Sequence, residues 1–104
     1  MEEHFSFDQR LGILLPDLKA DWEDYSLETQ QAVLLQWETI RGSIPDRIAE
    51  LEKFINQKQA ELSNEGNFLR SCQLNSEISE LASIINDLWI WYRADQTVSP
   101  KVHQ

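Results

Sequence analysis

The sequence contains few of the residues that cross-link a chain, break its helices or bind metals. Its 104 residues include one cysteine, two histidines, three glycines and three prolines. A lone cysteine, Cys72, excludes a disulfide within the chain and suits a reducing compartment, so we expect a cytoplasmic protein. Because no histidine lies near it in sequence to activate the thiol, Cys72 is interpreted as a small packing residue.

Basic side chains are also scarce. Nine lysines and arginines face 18 acidic residues, which gives a net charge of -9. Binding to nucleic acid or to an anionic membrane needs clustered basic side chains, whereas these are scattered among acids. The N-terminus MEEHFSF has no basic region typical of a signal sequence, and no apolar run approaches the roughly 20 residues that span a bilayer. We therefore expect protein partners, with no nucleic acid and no membrane.

The common patterns of catalytic and cofactor-binding residues are missing as well. His4 and His103 stand in no metal-ligand spacing, and the three isolated glycines form no phosphate-binding loop. No Ser/His/Asp or Cys/His arrangement can be assembled. These absences predict a chain without a cofactor and favour a non-enzymatic role.

What the sequence does contain is helical periodicity. Its hydrophobic fraction of 41% is enough for the core of a single domain spanning residues 1–104. One row of apolar residues follows a 3.5-residue repeat and predicts a helix over about 67–93: Leu74, Ile78, Leu81, Ile85, Leu88 and Tyr92. A second row predicts a helix over about 44–63: Ile44, Ile48, Leu51, Ile55 and Leu62, with Lys58 at the remaining position. The short turn between them predicts an antiparallel αα-hairpin.

A third helix is predicted over about 26–41, with Ser26 as its N-cap and Gly42 beyond its end. In the N-terminal segment, Ser6 and Gln9 have the form of a capping box and predict a short helix over 7–14. Pro16 ends that helix and opens another short one over 16–23. The prediction is an all-α fold, a small helical bundle built on the αα-hairpin, with residues 1–5 and 95–104 frayed.

The C-terminal end of the 67–93 helix is apolar almost all round, because Trp89 and Trp91 flank the heptad seam. A single partner helix cannot cover that perimeter. Either the N-terminal segment and the remaining tryptophans wrap around it, or another protein covers it, most simply a second copy of the chain. The candidate interaction residues are Ile84, Trp89, Trp91 and Tyr92, with Trp22 and Trp37 as their neighbours.

Acidic residues on the same helix support a different hypothesis. Glu77 and Glu80 form an ExxE pair and Asp87 follows Glu80 by one heptad, so these carboxylates could share a divalent cation. Together with residues 86–92, this stretch resembles the helical nucleotide pyrophosphohydrolases of the MazG type. The resemblance implies metal-dependent nucleotide hydrolysis by these three residues. In that family the second acidic pair lies on the next helix, whereas here all three acids fall on one helix.

Three functions follow from these observations. The favoured one is a non-enzymatic interaction protein, such as an adaptor, regulator or assembly factor, acting as a homodimer or by docking a partner helix. The second is the metal-dependent hydrolase, against which the acids can equally be a solvated stripe opposite the core. The third is an acidic decoy that imitates nucleic acid, which the net charge allows but the interleaved basic residues disfavour.

Overall fold

A computed structural model describes residues 2–94 and shows three long helices with a small β-hairpin packed on them. The helices are α1 (Leu27–Gly42), α2 (Ile44–Ser63) and α3 (Phe68–Arg93). All three were predicted from the sequence, and the expected all-α class is confirmed. No helix in the described part of the chain has the length and apolar character needed to cross a membrane.

The helix starts follow the expected capping chemistry. The Ser26 hydroxyl oxygen accepts a hydrogen bond from the Thr29 backbone N–H at 3.1 Å, which satisfies a donor that the first turn of α1 leaves free. The Asn67 side chain does the same for Arg70 N–H at 2.9 Å at the start of α3. Pro45 lies in the first turn of α2, where its missing N–H is not needed.

A single residue, Ser43, separates α1 from α2. Its hydroxyl and its backbone N–H both donate to the Ile40 carbonyl, at 2.7 and 3.0 Å. Gly42, expected beyond the helix, is instead the last residue of α1. The two helices thus follow each other with only a bend between them, and the molecule measures 60 × 23 × 22 Å.

Helices α2 and α3 pack together along the predicted seam, which confirms the αα-hairpin. Near the bend the seam is closed: Ile44, Ile48 and Leu51 are buried against Leu88. Farther out, Leu74 is the only buried residue between positions 52 and 80. We call residues 52–80 the arm, because there the hairpin is a layer only two helices thick.

The N-terminal segment departs from the prediction. Residues 7–14 do not form a helix; strand β1 (Phe5–Asp8) pairs antiparallel with strand β2 (Ile13–Pro16). Asp8 closes the loop, because its side chain accepts the Leu11 N–H at 2.8 Å and its carbonyl accepts the Gly12 N–H at 2.7 Å. Gly12 has a φ of 78°, a left-handed conformation that glycine adopts without strain.

The prediction of a second short helix over 16–23 is also wrong. The chain there has no regular structure until a 3-10 turn at Trp22–Asp24. Another 3-10 turn at Glu2–His4 leads into β1, where a frayed end was expected, and the His4 carbonyl accepts the Asp17 N–H at 2.9 Å. The other frayed segment, 95–104, lies outside the described residues.

The core forms where the β-hairpin meets the three helices. The hairpin inserts Phe5, Leu11 and Ile13 into this junction. These three side chains complete one buried cluster whose other members come from the helices: Val33, Trp37, Ile40, Ile44, Ile48, Leu51, Ile84 and Leu88. The β-hairpin therefore performs the covering role that had been assigned to short helices.

Candidate functional site

The aromatic end of α3 is partly covered by the chain itself. Trp37 is 1% exposed and packs edge-on against Trp91, with ring centroids 5.7 Å apart. Its indole N–H donates to the Ala94 carbonyl at 3.3 Å. Ile84 is buried, and Trp22 is half-buried against the core. On this side α1 and the N-terminal segment wrap around α3, so Ile84 and Trp37 face the protein's own core.

The other side of the aromatic end stays open. The Arg41 guanidinium lies 5.1 Å from the centre of the Tyr92 ring and donates to the Tyr92 carbonyl at 2.9 Å. Trp89 packs edge-on against Tyr92, with centroids 5.5 Å apart, and is still 37% exposed. Of the predicted interaction residues, Trp89 is the one that most clearly reaches solvent.

Two of the three acids proposed for catalysis hold the β-hairpin in place. Arg10, in the hairpin loop, donates to Asp87 at 2.8 Å and to Glu80 at 3.1 Å. Its third nitrogen donates to the Ser83 hydroxyl at 2.9 Å. The hydrogen bonds that Arg10 donates to Asp87, and next to Glu80, raise the pKa of Arg10 above its ordinary value. A guanidinium thus lies where a shared metal ion would have to bind.

The third acid, Glu77, pairs with Lys58 across the αα-hairpin at 2.9 Å. The pKa of Glu77 is lowered, chiefly by this hydrogen bond and more weakly by the charges of Lys58 and Arg70. Glu77 is therefore paired separately from Glu80 and Asp87. Among residues 2–94, no group of three histidine, cysteine, aspartate or glutamate side chains is placed to hold a metal ion.

Apolar residues also lie on the side of α3 that neither the β-hairpin nor α1 covers. Ile78, Ala82, Ile85 and Trp89 follow each other at steps of 4, 3 and 4. Ala82 and Trp89 are exposed, whereas Ile78 and Ile85 are half-buried members of the α2–α3 seam, and Ile85 packs against the core. At about 100° per residue, Ala82 lies about 200° around the helix from Glu80, on the side opposite the Arg10 contacts. We call this row, with its bordering residues Asn75, Ser79 and Asn86, the Trp89 face.

The Trp89 face carries no charged residue, although 26% of the chain is charged. Between positions 71 and 91, α3 has only three charged side chains, and they are the acids already paired with Arg10 and Lys58. Depletion of charge around exposed aromatic and aliphatic residues is typical of the centre of a protein–protein interface. In the sequence, this signal lies in Ala82 and Trp89, which flank the seam residues Ile78 and Ile85.

An open cleft of about 600 Å³ lies between the β-hairpin and the bend at Ser43. Its wall consists of apolar groups and the Ser43 hydroxyl, which already donates to a backbone carbonyl. The residues of this wall are Phe5, Phe7, Gly12, Ile13, Leu14, Ile40 and Ser43. The cleft therefore offers apolar surface but no acid, base or thiol for catalysis.

Cys72, expected to be a packing residue, is exposed on α3 with a free thiol. The interpretation of Cys72 as a packing residue is therefore wrong. Comparison of the chain with protein-family models, with curated proteins and with solved structures found no match.

Proposed function

We propose that this chain is a non-enzymatic protein–protein interaction module, an adaptor, regulator or assembly factor, whose partner packs on the Trp89 face. The observation that carries the proposal is the exposure of Ala82 and Trp89, one heptad apart beside the half-buried seam residues Ile78 and Ile85, on the side of α3 opposite the β-hairpin. Such spacing is what a partner helix needs in order to pack along α3. A cytoplasmic location belongs to the same proposal and is favoured by the free thiol of Cys72.

Burial of Trp89 against a partner would supply binding free energy. Trp89 leaves more than a third of its surface in water, and Ala82 beside it offers a shallow position where a second backbone can approach closely. Burying a large apolar side chain contributes about 1.5–3 kcal/mol. Aromatic side chains at the centre of an uncharged patch are the residues that most often dominate binding energy.

The hydrolase alternative receives no support from the arrangement of its acids. Glu80 and Asp87 share a guanidinium, and Glu77 pairs with a lysine on another helix. Binding a divalent cation at these positions would require Arg10 to leave, with loss of the contacts that hold the hairpin loop on α3. The decoy alternative requires a surface of regularly exposed acids, whereas several acids here are neutralised by neighbouring cations.

The test is site-specific photo-cross-linking in the cells that make the protein. A benzophenone amino acid at Ala82 is expected to form covalent adducts with another polypeptide, whereas the same group at Ala32 forms none. Both alanines are exposed and helical, but only Ala82 belongs to the Trp89 face. Equal adducts at both positions, or none at Ala82, would contradict the proposal.

A further inference from the structure

We infer that the arm is a conformational device: it opens and closes as a separate unit while the core at the β-hairpin stays folded, and Lys58 sets how often it opens. The inference goes beyond the proposed function and stands without it, because it concerns the two helices of the arm and needs no partner. The position of the core, the anchor at the base of the arm and the polar contacts within the arm carry it.

The core lies outside the arm. In the described part of the chain, all members of the buried cluster fall before position 52 or after position 80, and so do the half-buried apolar residues that pack against them. Leu74 is buried in the arm but belongs to the α2–α3 seam and not to this cluster. Because the stability of a segment follows the apolar surface that it buries, opening the arm costs less free energy than unfolding the core.

The arm is continuous in sequence and is anchored at its base. Residues 52–80 are the end of α2, the turn and the start of α3, so the arm can open from its tip without disturbing the segments that form the core. At the base, Arg10 donates to Glu80 at 3.1 Å, to Ser83 at 2.9 Å and to Asp87 at 2.8 Å. These contacts hold α3 on the β-hairpin from position 80 onward and mark the boundary of the opening unit.

Within the arm, ion pairs stand where apolar contacts would close the seam. Lys58 occupies a position of the α2 apolar row, and its side chain is only 30% exposed. Its amine donates to Glu77 across the seam at 2.9 Å, and nearer the tip Arg70 donates to Glu61 at 3.0 Å. Pairing returns to such charges little more than they lose on leaving water, whereas a buried leucine at the same position would stabilise the seam. Lys58 therefore keeps the closed arm close in free energy to the open one.

Opening also changes the Trp89 face, and this consequence alone rests on the proposed function. Ile78 and its bordering residues Asn75 and Ser79 belong to the arm, whereas Ala82 and Trp89 lie beyond its base. An open arm removes the N-terminal end of the face. A partner that packs along the whole face would therefore favour the closed arm.

Hydrogen exchange of individual amides in the intact chain, followed by NMR at low urea concentrations, measures the opening. The amides of Ala60 and Leu74, in the arm, are expected to exchange at least about 100-fold faster than those of Leu51 and Leu88, in the core, after correction for their intrinsic rates. Equal protection of the two sets would show one cooperative unit and overturn the inference.

A substitution in the core tests whether the arm opens separately. Val33→Ala, at a fully buried position of α1, is expected to speed exchange of the core amides about 10-fold and to leave the arm amides unchanged. The arm is unaffected because its opening does not require the core to unfold. If both sets speed up by the same factor, the arm is part of the core's cooperative unit and the inference fails.

A matched pair of substitutions on α2 tests the role of Lys58. Lys58→Leu completes the apolar row and is expected to slow exchange of the arm amides about 10-fold. Lys53→Leu makes the same change at an exposed position of the same helix and should leave them unchanged. Arm exchange that Lys58→Leu does not slow, or that Lys53→Leu slows equally, overturns the assignment of Lys58.

Discussion

The loop of the β-hairpin provides the sharpest test of how the N-terminal segment is held. Replacing Gly12 by alanine adds a methyl group at a residue whose φ is 78°. That methyl carbon would lie 2.6 Å from Nε of Arg47 and 2.7 Å from Nη2. The guanidinium must then move, although its Nε donates to the Leu11 carbonyl at 2.9 Å and its Nη1 to Glu50 at 2.8 Å.

Two effects set the loss of unfolding free energy that Gly12→Ala causes. Holding an alanine in the left-handed conformation costs about 1–2 kcal/mol. Loss of a hydrogen bond from a charged donor such as Arg47 costs about 1.5–3 kcal/mol, less whatever water restores at this half-buried site. We therefore expect Gly12→Ala to lower the free energy of unfolding by about 2–4 kcal/mol. For a chain of this size that shift lowers Tm by roughly 10–20 °C.

Urea denaturation followed by circular dichroism measures the effect, and two comparisons separate its causes. Gly42→Ala, at a helical position with no atom within 4 Å of the new methyl, should stabilise by about 0.5–1 kcal/mol. In an Arg47→Ala background, Gly12→Ala should cost only the backbone term, about 1–2 kcal/mol. The reasoning is refuted if Gly12→Ala costs less than about 0.5 kcal/mol, or the same with and without Arg47.

Three further outcomes are expected. Leu88→Ala, at a position with 0% exposure, should cost about 3–4 kcal/mol, whereas Leu69→Ala, at 77% exposure, should change the stability by less than about 0.5 kcal/mol in the same urea titration. Because the pKa of Glu77 is lowered in the folded state, its pairing with Lys58 stabilises the fold above the ordinary value of 4.5 and is lost as the pH falls through the lower folded value. The stability difference between the native chain and Glu77→Gln should therefore shrink as the pH falls below 4.5 and vanish below the folded-state pKa of Glu77, and a difference that grows there would contradict this sign. Arg10→Gln should leave the global stability nearly unchanged yet speed amide hydrogen exchange in the β-hairpin, because exposed ion pairs are individually weak but these hold the loop on α3.

The helices could be predicted because their apolar residues repeat over many turns. The α3 row keeps its 3.5-residue spacing for six residues, and Ser26 marks the start of α1. The N-terminal segment misled the prediction because Ser6 and Gln9 have the form of a capping box. The spacing of Phe7, Leu11, Leu14 and Leu18, at steps of 4, 3 and 4, is equally compatible with a helix. The local sequence pattern could not distinguish a helix from a pair of strands. Strands form because they bury Phe5, Leu11 and Ile13 against residues far along the chain.

The site could be predicted only in part, for a related reason. Sequence periodicity identified an aromatic surplus around Trp89, and that residue is indeed exposed. It could not tell which flank of α3 the N-terminal segment covers, since that depends on Arg10 reaching Glu80 and Asp87. Because of the same contact, Glu80 and Asp87, which have the spacing of metal ligands in the sequence, instead hold the loop of the β-hairpin on α3.

Contact between Arg10 and Asp87 joins positions 77 residues apart in the chain. During synthesis the two strands leave the ribosome before the helix on which they rest has been made. An isolated two-stranded hairpin is only marginally stable in water. The nascent chain therefore acquires this core only after α3 has been made, and products that stop within α3 would leave Phe5, Leu11 and Ile13 without cover, as substrates for chaperones and proteases.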